Sequence, residues 1–159
     1  MSARFIKYGF TLIELLVVIS IIGILATLVV ANLSSARSRA RDAERKSDLK
    51  NIQTALRLYY NDYNGYPKSD SQGDIDGCGT AGITACAWGS SWTAGSGPTV
   101  YMNTLPQDPL STSGRSYFYQ IGSDTDSYTL SACLENTSDA SGVNASVNGT
   151  ACWAFQVSQ

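Results

Sequence analysis

The sequence has no histidine among its 159 residues. Without an imidazole, neither a Ser-His-Asp triad nor a Cys-His pair can form, and the usual zinc ligand sets are incomplete. No other constellation of acid, base and nucleophile replaces them, so an enzyme is the least favoured class. Charged residues make up only 15% and the formal net charge is −2. That composition gives no reason to expect nucleic acid as a partner.

Proline is absent before Pro67, and residues 10–30 carry no charge except Glu14. A helix over those residues would be about 30 Å long, enough to cross a bilayer. A carboxylate at the bilayer centre costs roughly 2.5–3.5 kcal/mol, so Glu14 is a functional candidate. Cutting the chain between Gly9 and Phe10 would create an α-amino group four residues before Glu14. In a bundle of identical helices, that amine could neutralise Glu14 of the neighbouring subunit.

The run Gly9-Phe10-Thr11-Leu12-Ile13-Glu14-Leu15 resembles the processing site of type IV pilins and type II secretion pseudopilins. The resemblance implies a leader, residues 1–9, that a prepilin peptidase removes while methylating Phe10. It implies that Glu14 registers each subunit in a helical homopolymer. The implied partners are minor pilins or pseudopilins, an assembly ATPase with its inner-membrane platform, and membrane lipid before assembly.

Other interpretations of the apolar run remain open. A secretory signal peptide could be cut after residues 29–31, although such segments are shorter and carry no glutamate. A plain single-pass anchor would leave Glu14 incidental. From a different class, the chain could be a monomeric membrane-anchored extracellular binding module that holds a ligand with Trp88 and Trp92. Exposed tryptophans in a pocket would favour that module, and tryptophans packed against the helix would favour a structural subunit.

The sequence predicts one helix from about residue 10 to residue 64. Residues 10–31 form its transmembrane or filament-core part, and residues 32–64 continue it as an amphipathic helix. The apolar and aromatic positions of the second part recur at helical spacing: Leu49, Ile52, Leu56, Tyr59, Tyr60 and Tyr63. Gly65 suits a left-handed cap and Pro67 prevents continuation. Ala31 replaces a proline that is common in pilins and often accompanies a break there.

A basic cluster, residues 37–46, follows the apolar run. We interpret it as a solvated collar where the helix leaves the membrane, with pairing across subunits to Asp42, Glu44 or Asp48 as an additional role. Its charge outnumbers that of Arg4 and Lys7 in the leader. Large domains translocate largely regardless of charge, so we expect a cytoplasmic-membrane anchor with the C-terminal domain outside, and later an extracellular or envelope filament.

Residues 65–159 are expected to form a globular β domain with loops, of which residues 68–99 are read as a loop region. Strands are predicted at residues 116–121 and 127–134, joined by a hairpin turn, with a last strand around Trp153. A small antiparallel sheet packed on the helix makes the fold class α+β and pilin-like. Leu105-Pro106-Gln107-Asp108-Pro109 and Tyr66-Pro67 resemble elements of the major pseudopilin of type II secretion, although Leu110-Ser111 stands where that family has Trp-Gly.

That resemblance also implies a calcium site beside the hairpin, where Ser123, Asp124 and Asp126 supply oxygen atoms. Calcium takes six to eight oxygens and only three can be named, so a polar turn without a cofactor is the favoured interpretation.

The four cysteines predict two disulfides in an oxidising compartment. Three connectivities are open. We favour Cys78–Cys86 and Cys133–Cys152 because each closes a short local loop. The second would contribute about 3 kcal/mol in the chain-entropy model and would staple the polar loop at residues 135–149 to the sheet.

Overall fold

The computed structural model describes residues 9–159, without the side chains of residues 28–32. The expected leader therefore lies, apart from Gly9, outside the described residues. The contacts divide the chain into two units, Met1–Arg37 and Ser38–Gln159. Within residues 9–159, no helix is both long and apolar enough to span a membrane.

Helix α1 extends over Leu12–Tyr63 without interruption and passes position 31 as a helix, as expected with Ala there instead of proline. It ends at Asn64, which takes the left-handed conformation at φ 53° and donates its N–H to the carbonyl of Tyr60 at 2.8 Å. The prediction that Gly65 would supply the left-handed cap was therefore wrong by one residue. Asparagine tolerates this conformation because its short polar side chain can hydrogen-bond locally.

In the second unit, α1 buries most of the stripe that its spacing predicts, although Tyr60 is only half-buried and Tyr63 is 40% exposed. Leu49, Ile52 and Leu56 are fully buried, and Tyr59 is nearly so. These side chains belong to one core with residues of the β region, including Tyr119 and Leu130. Each such aliphatic side chain contributes roughly 1.5–3 kcal/mol when it leaves water, so the stripe is the main apolar attachment of this part of the helix.

A four-stranded antiparallel sheet provides the other side of that core, as predicted. Its strands are β6 Phe118–Ile121, β7 Tyr128–Cys133, β8 Val143–Val147 and β9 Thr150–Ser158. Their spatial order is β6-β7-β9-β8, with β8 and β9 joined as a hairpin. Strand β8 was not predicted: residues 135–149 were treated as a polar loop with almost no core formers, yet Val147 is buried.

Residues 68–99 were also wrongly predicted to be a loop region. They contribute to five short strands: β1 Lys68–Ser69, β2 Ile75–Cys78, β3 Thr84–Cys86, β4 Trp92–Ala94 and β5 Thr99–Met102. These strands form two small antiparallel sheets, β1-β2-β3 and β4-β5. A short 3-10 helix, Ser111–Ser113, precedes β6. Strands this short are stabilised by packing and cross-links rather than by strand propensity.

Two disulfides join the pairs that the short loops favour. Cys78 is bonded to Cys86 and so links β2 to β3, and Cys133 is bonded to Cys152 and so links β7 to β9. Both bridges therefore connect neighbouring strands of one sheet.

Candidate assembly site

The start of α1 is closed by a capping box between Thr11 and Glu14. The Thr11 N–H donates to Glu14 Oε2 at 2.8 Å, and the Glu14 N–H points back to Thr11 Oγ1 at 3.3 Å. The Thr11 hydroxyl also donates to Glu14 Oε2 at 2.6 Å. This reciprocal pattern satisfies donors that the first helical turn would otherwise leave free. Glu14 therefore has a local structural role, which the sequence interpretation missed although Thr-x-x-Glu before an apolar run is its signature.

The cap occupies only one of the two carboxylate oxygens. Glu14 Oε1 accepts no hydrogen bond from the residues that the structure describes, whereas Oε2 accepts both bonds from Thr11. Cleavage after Gly9 would leave the Thr11 amide in place, because only the nitrogen of Phe10 would become an amine. The capped carboxylate would thus still offer an oxygen to a cation on another molecule.

The apolar side chains that follow the cap are uncovered all round the helix. Twelve of them between Phe10 and Leu25 are 45–82% exposed. At roughly 1.5–3 kcal/mol for each fully buried side chain, covering them would contribute on the order of 10–20 kcal/mol. An exposed surface of this kind marks contact with lipid or with another protein. The described part of the chain leaves these side chains uncovered, so this unit requires contact with lipid or with another protein.

Within the second unit, α1 carries a fully buried cation. Arg45 is 0% exposed, and its guanidinium forms a two-pronged pair with Asp108 at 2.8 and 2.9 Å. The remaining terminal nitrogen donates to Asp42 at 2.7 Å and to Glu135 at 2.8 Å. Burial lowers the pKa of Arg45, but the hydrogen bonds to the three acids outweigh it and raise the pKa overall. The guanidinium consequently remains charged.

Arg41 extends this ion cluster towards the surface. Its guanidinium also forms a two-pronged pair with Glu135, at 2.7 and 2.5 Å. The hydrogen bonds from Arg41, and then the one from Arg45, lower the pKa of Glu135 to about 2 despite partial burial. Asp42 in turn accepts the backbone N–H groups of Glu135 and Asn136, at 3.0 and 2.8 Å. The cluster therefore attaches two distant chain segments to one face of α1.

These contacts correct the interpretation of the basic cluster. Arg41, Arg45 and Lys46 are not a solvated collar, because they pair with Glu135, Asp108 and Asp139 of the same chain. Of the three acids expected to pair across subunits, Asp42 lies in the cluster and Asp48 accepts the hydroxyl of Tyr117 at 2.6 Å. Glu44 is exposed.

The tryptophans do not form a ligand pocket. Trp92 is 0% exposed, lies 5.6 Å from the Tyr59 ring and donates its indole N–H to the Gly77 carbonyl at 3.0 Å. Trp88 is half-buried and meets Tyr117 edge to face at 5.7 Å. This packing favours a structural role over the binding module.

The candidate calcium residues lie in the exposed turn between β6 and β7. Asp124 Oδ1 accepts the Ser127 hydroxyl at 2.7 Å, and this bond, together with hydrogen bonds from N–H groups of the turn, lowers the pKa of Asp124. Asp126 Oδ1 accepts the Tyr60 hydroxyl at 2.9 Å. With Ser123 they supply three side-chain oxygen ligands where calcium takes six to eight, so backbone carbonyls and water would have to supply the larger part of the coordination shell. No group of three or more acidic or cysteine side chains suited to a metal occurs among the described residues.

Comparison with known proteins connects both units to one family. The model of the prokaryotic N-terminal methylation motif matches residues 4–30, and that of type II secretion system (T2SS), protein G matches residues 32–150. Proteins named type II secretion system core protein G from Aeromonas hydrophila and Pectobacterium carotovorum subsp. carotovorum are 41% and 34% identical to the chain. No solved structure gives a significant match.

The similarity is partial in length. The two alignments cover 64% and 65% of this chain and 66% and 62% of the relatives, so the chain spans just under two thirds of their length. The type IV major pilin protein PilA of Myxococcus xanthus is 40% identical over 58 residues, which are 36% of this chain and 26% of that protein. The protein G model covers most of the globular unit as well as part of α1. The chain therefore belongs to the family of type II secretion system protein G, the pseudopilins.

Proposed function

We propose that this protein is a structural subunit of a helical, pilin-like filament and is not an enzyme. Family membership supports this class. The structural observation that carries it is an apolar helix, exposed all round, that begins with a capped glutamate whose second carboxylate oxygen accepts no hydrogen bond from the described residues. In the proposed filament, α1 residues of neighbouring subunits cover one another. The chain is made as a precursor, cut after Gly9 and methylated on Phe10.

Hydrophobic burial alone does not select the filament over the membrane. Lipid tails are as apolar as leucine, so moving residues 10–27 from lipid to a helical bundle changes their free energy little. Glu14 is different, because a carboxylate is costly in lipid and tolerable when paired. The free Oε1 of Glu14 is the atom we assign to the Phe10 amine of the adjacent subunit. This pairing would set the axial register, and an ATPase-driven machine would supply the work of extraction.

Among filaments, the pseudopilus of a type II secretion system is the one that family membership favours. Surface pili and DNA-uptake pili remain alternatives of the same class. The proposed partners are other copies of this chain, minor pseudopilins, a prepilin peptidase, and an assembly ATPase with its inner-membrane platform. Before assembly the subunit is proposed to sit in the cytoplasmic membrane with residues 65–159 outside, where an oxidising environment maintains the two disulfides.

Intact mass spectrometry of the protein from its native membrane or filaments tests the processing. We expect loss of residues 1–9, one added methyl group, and a mass lower by four hydrogens for two disulfides. A chain that remains uncut would leave Glu14 without its proposed partner. Cleavage after Ala31 would instead mean a secreted domain without the assembly helix.

Three variants separate the charge of Glu14 from its cap. Glu14→Gln keeps an acceptor for the Thr11 N–H but removes the negative charge, and Thr11→Ala weakens the cap but keeps the charge. Loss of the Thr11 side chain should cost ~0.5–2 kcal/mol of local helix stability. We expect Glu14→Ala and Glu14→Gln to remain in the membrane without forming filaments, and Thr11→Ala to assemble. Filament yield by electron microscopy and membrane content by fractionation report the two steps, and normal filaments from Glu14→Gln would refute charge pairing.

A further inference from the structure

Strand β8 is an edge of the four-stranded sheet, and its register shows which backbone groups are free. The β8–β9 hairpin turns through Asn148 and Gly149, both at positive φ, so Val147 and Thr150 form the hydrogen-bonded closing pair. Pairs in an antiparallel ladder alternate, so Val143, Ala145 and Val147 direct their N–H and C=O groups towards β9. Asn144 and Ser146 direct theirs away from the sheet. No backbone hydrogen bond from these two residues to another described part of the chain is present outside the ladder.

The opposite edge of the same sheet is treated differently. In strand β6, the pairs with β7 alternate in the same way, so the backbone N–H and C=O groups of Tyr119 and Ile121 point away from β7. The Tyr119 N–H donates to the Gly73 carbonyl at 2.9 Å, and the Ile121 N–H donates to the Ser69 hydroxyl at 3.2 Å. One edge is therefore covered by its own chain, while the other presents two N–H and two C=O groups.

Strand β8 also lacks the usual protection of a free edge. Natural sheets place lysine, proline or a bulge on such strands to prevent pairing with other chains. Residues 140–159 contain no charged side chain and no proline, and the β8–β9 register is regular. The side chains of Asn144 and Ser146 are exposed, and Val143 is 46% exposed. The edge is neutral and accessible, and its five residues are an ordinary strand length.

We propose that β8 pairs antiparallel with β8 of a second copy of this chain, with Ala145 opposite Ala145 of the other copy. In this register Asn144 lies opposite Ser146 of the second copy, and Ser146 opposite its Asn144. Both are hydrogen-bonded pairs, so all four outward groups on each strand are used and four bonds form. Self-pairing brings identical segments together, so any charged side chain would meet a like charge. Strand β8 carries no charged side chain, and such repulsion does not arise. A strand is the occupant because only an extended backbone matches the spacing of these groups.

Such a contact differs from those that build the filament. It is isologous, since the same patch is used on both chains, and it closes on two subunits. Successive subunits along a helical filament make heterologous contacts instead. The β8 contact would therefore join two unassembled subunits, or subunits of separate filaments, and does not depend on the proposed function of Glu14.

Paired cysteines test the register directly. In the proposed pair, residues 144 and 146 of different copies have Cα atoms about 5.5 Å apart, which a disulfide can bridge. Identical positions, 144 with 144 or 146 with 146, would be roughly 8–9 Å apart and could not be bridged. Full-length Asn144→Cys and Ser146→Cys chains, purified in detergent, are oxidised separately and as a mixture. We expect about five times more cross-linked dimer from the mixture than from either chain alone.

These positions suit the experiment because Asn144 and Ser146 alternate with Ala145, which pairs with Cys152 on the other face of the sheet. Intact native disulfides are checked by mass. Ser146→Pro removes one outward N–H without touching the β9 ladder, which an edge strand tolerates, and should shift dimer to monomer in sedimentation. Equal cross-linking of the mixture and the single variants, or no cross-linking in any sample, would overturn the proposal. A dimer unchanged by Ser146→Pro would place the contact elsewhere.

Discussion

The substitution Arg45→Met removes the charge of the buried ion cluster while keeping a long apolar stem. Four hydrogen bonds are lost: two to Asp108, one to Asp42 and one to Glu135. Asp108 and Asp42 are 3% and 2% exposed, so water cannot replace the guanidinium. Removing one partner of a buried ion pair typically costs about 3–5 kcal/mol.

The lost hydrogen bonds and the stranded carboxylates both contribute to this cost, because two buried acids would be left without a cation. We expect Arg45→Met to lose about 4 kcal/mol of unfolding free energy.

Equilibrium urea unfolding of the full chain in detergent, followed by tryptophan fluorescence, measures these losses. Trp92 is a suitable reporter because it is fully buried in the core of the same unit. Arg57→Met is the matched control: Arg57 is exposed on α1 and makes one long hydrogen bond, to Gln159 at 3.3 Å. Its cost should stay within about 0.5 kcal/mol. A loss below about 1 kcal/mol for Arg45→Met would refute this account of the cluster.

Two further predictions concern acidic groups. Because the folded-state pKa of Glu135 is about 2, below its ordinary 4.5, its contribution is complete above pH 4.5 and is lost as pH falls towards 2. That contribution to the free energy of unfolding is about 3 kcal/mol. Arg41→Gln should therefore lose less stability between pH 6 and pH 3 than the unchanged chain does. Equal losses in the two chains would contradict the assigned role of Arg41. For the β6–β7 turn, we expect calorimetric titration with calcium to give no saturable heat, since three side-chain donors are too few. Saturable heat that Asp124→Asn abolishes would establish a calcium site.

The sequence was sufficient for features that depend on local pattern. The absence of proline and the spacing of Leu49, Ile52 and Leu56 predicted α1 and its buried stripe. The alternation around Trp153 predicted the last strand, although it begins earlier than expected, at Thr150. Short loop length favoured both disulfide pairs. In each case the partners are close in sequence, 8 and 19 residues apart for the two disulfides, or the pattern itself has the period of the element.

Long-range polar contacts could not be obtained in this way. Arg45 meets Asp108 63 residues later and Glu135 90 residues later. A run of basic residues is normally solvated, and nothing local marks Arg45 as the buried member. The position of Asp108 between two prolines marked it as a residue in a stiff turn, but nothing in the sequence indicated that its partner is Arg45. The failure to predict strand β8 has a different cause. Asn148-Gly149 is a strong hairpin signal, but it was interpreted only as part of a polar loop.

The polar contacts of the second unit have a consequence that its apolar core does not provide. An apolar stripe with helical spacing places similar side chains one turn apart, so sliding α1 by a turn would still bury leucine, isoleucine or tyrosine. The two-pronged pair of Arg45 with Asp108 permits no such shift, because its geometry requires one guanidinium opposite one carboxylate. The hydroxyls of Tyr117 and Tyr101 add the same requirement at Asp48 and Asp62, both at 2.6 Å. We therefore infer that burial supplies most of the stability here, while the ion cluster and tyrosine hydroxyls fix the register of α1 against the sheet.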